Sequence, residues 1–129
     1  MSKWRRVAIE FIPTLARPIA AALNRAELWS ELRCRFIEAE KSQNPALCAS
    51  IVKYYRWCVS PERQRLPNDI QTSAVLGFLE DLVEDQASTD ILLKWLSKDE
   101  VLSYSWNVEY SAGMSAVDYI RLWKPPKSH

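Results

Sequence analysis

The chain has 129 residues, a net charge of +1, 48% hydrophobic and 26% charged residues, and six tryptophans. It holds two glycines, Gly77 and Gly113, and one histidine, His129. That composition excludes a disordered or fibrous chain, a glycine-rich phosphate-binding loop and histidine-based acid–base or nucleophilic catalysis, and leaves packing and binding.

At this length a single domain is expected. No apolar run approaches the roughly 18 residues of a membrane span. Glu10, Pro13 and Arg17 interrupt what would follow a charged Arg5-Arg6 start, so no signal peptide is expected. The expectation is a cytoplasmic protein.

In chain order, Trp4, Val7, Ala8, Phe11 and Leu15 recur at helical spacing, with Lys3, Arg5, Arg6 and Glu10 mostly elsewhere on the wheel. Pro13 ends or kinks that helix and Pro18 marks a second break. The next helix starts near Pro18 and either runs on or restarts near Asn24, reaching about Ser42. Leu28, Leu32 and Phe36 form its stripe, flanked by Trp29 and Ile37, and Glu31 and Arg35 are placed to pair. Asn44-Pro45 supplies an N-cap followed by proline at N1. The helix it opens runs to about Cys58, facing Leu47, Ile51, Tyr54, Tyr55 and Cys58 inward, and Ser60-Pro61 stops it. The polar segment Pro61 to Pro67 reads as a surface loop.

Asn68 or Asp69 caps a fourth helix, with Val75, Phe78, Leu79, Leu82 and Val83 on one side and Glu80, Asp81, Glu84 and Asp85 on another. Ser88 is expected to cap a short helix holding Ile91, Leu92, Trp95 and Leu96. Ser97 to Glu100 has the spacing of a capping box. Asn107 to Gly113 reads as a loop, although Trp106, Val108 and Tyr110 alternate as in a short strand. A last amphipathic stretch runs from about Ser115 to Trp123, and a disordered tail is expected over 124–129. The sum is an all-α single domain spanning 1–129, with six or seven short helices in an irregular bundle or stacked helical hairpins.

Charge is split along the chain: residues 1–65 carry 12 Lys/Arg against 6 Asp/Glu, and residues 66–129 carry 5 against 10. The acidic run Glu80, Asp81, Glu84 and Asp85, extended by Asp90, is a candidate docking face for a basic partner. Trp29 and Trp106 fit the inward stripes less well than Trp4, Trp57, Trp95 and Trp123, which makes them candidate exposed anchors. Lys53, Arg56, Arg63 and Arg65, beside Tyr54, Tyr55 and Trp57, give an alternative nucleic-acid contact, although the near-zero net charge speaks against it. Cys34, Cys48 and Cys58 lack metal or redox spacing and are expected to be buried small hydrophobes. No spacing of carboxylates, cysteines or histidine points to a cofactor, a metal or a catalytic group.

The tyrosine-bearing IVKYYRW at residues 51–57, followed by VLGFLEDLVED at 75–85 and DILLKWLSKDEV at 90–101, resembles the small all-helical immunity proteins of bacterial toxin systems. The similarity covers roughly residues 44–105. It implies a cytosolic, non-enzymatic inhibitor that binds a cognate protein toxin, with the acidic helix face meeting a basic toxin surface.

Overall fold

Helix boundaries in this chain follow local chemistry closely. The structure, a computed structural model, describes residues 1–60 and 69–125. Among these residues there are nine α-helices and no strand, so the chain is all-α. The described helices outnumber the six or seven expected because the N-terminal and C-terminal stretches each divide further. No described helix is long and apolar enough to cross a membrane. The proposed loop from Pro61 to Pro67, the Asn68 cap and the last four residues of the tail lie outside the described residues.

The chain groups into two compact units, one ending at Phe78 and one beginning at Leu79. In the first, α1 (Lys3–Phe11) stops before Pro13, which opens a 3-10 turn, Pro13–Leu15. In α2 (Ala16–Ala21), Pro18 lies in the first turn, where a missing N–H costs no intrahelical bond. A fresh start at Asn24 opens α3 (Arg25–Lys41), the side chain accepting from the Glu27 N–H at 2.8 Å. Glu31 and Arg35 pair at 2.9 Å.

The turn after α3 has Gln43 at φ 57, a left-handed position that usually selects glycine. Asn44 N–H donates to Ala39 O at 2.8 Å and Gln43 N–H to Glu40 O at 3.3 Å, closing the helix with paired back-bonds. Asn44 then caps α4 (Pro45–Val59), accepting from Leu47 N–H at 3.2 Å. One residue thus ends one helix and starts the next.

Helix α3 packs against both α4 and α5 (Asp69–Ala74), and α4 also packs against α1. Because α3 is covered from two sides, it buries a wider arc than one stripe. Trp29, expected as an exposed anchor, is fully buried. Its ring stacks on Tyr54 (5.4 Å, 14°), meets Tyr55 edge-on (6.0 Å) and leans on Phe78 (5.3 Å). Phe36 closes the cluster against Phe78 at 5.1 Å. This aromatic knot is the centre of the first unit.

After α5 the backbone widens into a π-helical segment, Val75–Glu80, that leads into the second unit. Gly77 lies within it because Trp29 leaves no room: a Cβ there would stand 2.8 Å from Trp29 Cβ. Gly77→Ala is therefore expected to destabilise the chain by about 1–3 kcal/mol, as overpacking does, despite alanine's better helix propensity. Urea unfolding followed by circular dichroism checks this, and a stabilised variant would contradict the close approach.

In the second unit, Asp85 rather than Ser88 caps α6 (Gln86–Trp95), accepting from Ser88 N–H at 2.7 Å. Ser97 and Glu100 form the expected capping box at the start of α7 (Lys98–Leu102). The stretch read as a loop or short strand is α8 (Ser105–Ala112), and Gly113, at φ 87, separates it from α9 (Met114–Leu122). The alternation that suggested a strand has a helical meaning: Trp106 and Tyr110 share one face, and Val108, fully buried, lies on the other.

Candidate protein-interaction surface

The inner side of α8 is anchored by polar contacts. Asn107 Nδ2 donates to Glu80 Oε2 at 3.1 Å, and Ser111 Oγ lies 3.2 Å from Glu80 O and 3.3 Å from Glu84 Oε1. With Asn107, Val108 and Ser111 held inward, the helix must present positions 106, 109 and 110 to solvent. Trp106 is 71% exposed and Tyr110 80% exposed, and their rings stack at 5.8 Å and 14°. Glu109, also exposed, sits beside them on the same face. A rigid, preformed aromatic pair with one adjacent carboxylate suits a protein interface, since little conformational freedom is lost on docking.

Trp106 is thus where the sequence placed it, exposed. Tyr110 and Glu109 were missed, although the i,i+4 spacing of Trp106 and Tyr110 carried the signal once the stretch was read as a helix.

The acidic run does not form one face. Glu80 is 8% exposed and receives the Asn107 amide. In a π-helix the backbone bonds run i to i+5, so the 3.6-residue wheel that set Glu80 beside Glu84 does not apply there. Asp85 spends its carboxylate on the α6 cap and on the Ser88 hydroxyl at 3.0 Å. Asp81 is half-buried, and Glu84 is exposed. Asp90 accepts the Tyr119 hydroxyl at 2.5 Å and the Trp123 indole N–H at 3.1 Å, both on Oδ1. Of the five acidic residues singled out, Glu84 and Asp85 are the exposed ones.

The alternative nucleic-acid set is divided as well. Lys53 and Arg56 are exposed on α4, but Tyr54 and Tyr55 are buried in the aromatic knot, so those rings are not available for base stacking. Arg63 and Arg65 lie outside the described residues. Cys48 and Cys58 are buried as expected, whereas Cys34 is exposed on the outer side of α3. Among the described residues no group of three or more His, Cys, Asp or Glu side chains is arranged to hold a metal ion.

Two phenols are shifted. Burial, reinforced by Cys58, pushes the Tyr54 hydroxyl well above its ordinary value, and its proton is donated to Trp4 O at 2.8 Å. Tyr119 is raised chiefly by its hydrogen bond to Asp90. A phenol whose folded pKa exceeds its unfolded value near 10 favours the native state fully below that value. The contribution is lost as pH climbs through the folded pKa. The melting temperature is expected to fall above about pH 10, and Tyr54→Phe is expected to flatten the fall. Thermal melts of both proteins from neutral to strongly alkaline pH check this; equally steep declines would contradict it.

The charge split of the sequence follows the structural units. Residues 1–78 carry 12 Lys/Arg against 7 Asp/Glu, and residues 79–129 carry 5 against 9. The exposed aromatic pair therefore belongs to the acidic unit.

Comparison of the chain with protein-family profiles, curated proteins and solved structures gave no match.

Proposed function

We propose that this chain is a non-catalytic binding protein that grips one protein partner through the outer face of α8, as an immunity-type inhibitor grips its toxin in the cytoplasm. One observation carries the reading: Trp106 and Tyr110 stand stacked and solvent-exposed on a helix whose other side is anchored. Exposed aromatics of this size are uncommon unless a partner covers them, and tryptophan and tyrosine dominate interface hot spots. Glu109 beside the pair, within an acidic unit, supports a basic partner surface such as a nuclease cleft.

The test is to mix the purified chain with the product of the neighbouring reading frame and examine the mixture by size exclusion. A stable 1:1 complex in which the partner's toxicity is suppressed is expected. A neighbour that neither binds nor harms the cell would overturn the toxin assignment. The nucleic-acid alternative through Lys53, Arg56, Arg63 and Arg65 predicts instead an oligonucleotide affinity that collapses with salt.

A further inference from the structure

Glu109 is the one charged residue of α8, and its carboxylate pairs with no group among the described residues. Residues 99–120, which include α8, hold four acidic residues and no lysine or arginine. Each ring of the Trp106–Tyr110 stack gives one face to the other, at 5.8 Å and 14°, and keeps its second face for an incoming group. No described cation lies over either ring. The first unit shows the arrangement that α8 lacks: the Arg5 guanidinium sits over its neighbour Trp4, 4.9 Å from the ring centroid.

The charge of this face selects its occupant. A wholly apolar partner would leave the Glu109 carboxylate uncompensated at the edge of the contact. A second copy of this chain, meeting α8 with α8, would place two Glu109 carboxylates in one interface, with no cation from residues 99–120 to offset them. A cation suits both the carboxylate and the electron-rich ring faces. Among protein cations, the lysine ammonium is compact and strongly hydrated, whereas the arginine guanidinium is flat, weakly hydrated and able to fork onto a carboxylate. Trp106 and Glu109, three residues apart, are neighbours on the helix surface, so one guanidinium can reach both.

We propose that the α8 face recognises an arginine of the partner protein, its guanidinium laid on the free face of Trp106 and drawn there by Glu109. The inference rests on α8 being the partner-binding face, and adds the side chain that the partner presents to it. The indole supplies the preference for arginine over lysine, and Glu109 supplies a charge attraction that either cation shares.

The experiment titrates hexaarginine and hexalysine peptides into the full chain labelled with ¹⁵N, with the Trp106 indole signal assigned by its disappearance in Trp106→Phe. Hexaarginine is expected to shift that signal and to bind about three- to fivefold tighter than hexalysine. The preference is expected to persist at about 0.3 M NaCl, where attraction between exposed charges is largely screened. Fluorescence anisotropy of labelled peptides extends the comparison to variants without the indole. Trp106→Ala is expected to weaken hexaarginine about fivefold and hexalysine less than about twofold. Glu109→Gln is expected to weaken both peptides about twofold, the effect of one exposed charge. Asp118→Asn, which removes an exposed charge elsewhere in the unit, is expected to leave the preference for arginine unchanged. Equal affinity for the two peptides, a Trp106 indole that does not move, or a preference retained in Trp106→Ala would overturn the arginine assignment. Where the partner complex still weakens in Trp106→Ala, that failure leaves α8 as the partner-binding face; a partner complex indifferent to Trp106→Ala overturns both.

Discussion

Trp29→Ala is expected to cost about 3–5 kcal/mol of folding stability, the range for removing a large buried aromatic ring. Trp29 contributes to three ring contacts at once, with Tyr54, Tyr55 and Phe78, so the lost indole leaves a gap bordered by three other rings. Those neighbours lie on α4 and at the π-helical turn, and cannot all close the space without moving backbone. Trp29→Phe is expected to cost much less. It keeps one ring in the stack, and the indole Nε1 it removes has no acceptor among the described residues. Urea unfolding of the three proteins gives the comparison directly. A loss below about 1 kcal/mol for Trp29→Ala would show that the ring is not at a packed centre.

The α8 face makes the second large prediction, this time on affinity. Trp106→Ala and Tyr110→Ala are each expected to weaken the partner complex by about 2 kcal/mol or more, roughly thirtyfold. The double variant is expected to lose well over a hundredfold, with departure from additivity because the two rings touch. Folding stability is expected to change little, since both side chains are largely in solvent. Glu109→Lys is expected to act differently. It slows association and weakens the salt dependence of the on-rate, with a smaller effect on dissociation, as a charge at the edge of an interface does. Stopped-flow or surface-based kinetics with the neighbouring gene product separates these effects. Full affinity in the Trp106/Tyr110 double variant would remove α8 from the interface even if the complex itself exists.

Several elements were legible in the sequence because the interactions that set them are local. Asn44-Pro45 and the Ser97–Glu100 box each satisfy N–H groups within three residues and start a helix where the residue pattern placed it, and Asn24 decides by the same chemistry between the two alternatives of a continuous helix and a restart. The Glu31–Arg35 pair and the inward Ile51, Tyr54, Tyr55 and Cys58 of α4 needed only helical periodicity. Where the reading went astray, a distant element or an altered helical pitch intervened. Trp29 is buried because α4 and the π-helical segment cover a side of α3 that a single stripe leaves open. Glu80 turns inward because the backbone is wound as a π-helix, which apolar periodicity of 3.6 does not anticipate. Asp85 is committed to a cap that Ser88 also had the chemistry to make.

The candidate sites show the same division. Trp106 was singled out from its poor fit to any inward stripe, and it is exposed. Its stacked partner required α8 to be a helix, and the hydrogen bonds of Tyr119 and Trp123 to Asp90 required α6 and the end of α9 to meet across 29 and 33 residues of chain.

The residues alone were enough to determine an all-helical chain, most of its helix starts and its division of charge, because capping, turn chemistry and periodicity act over about one helical turn. Only the tertiary structure decided which aromatics reach solvent and which carboxylates remain there. Burial depends on what the rest of the chain lays over a surface, and that information lies outside any single helix.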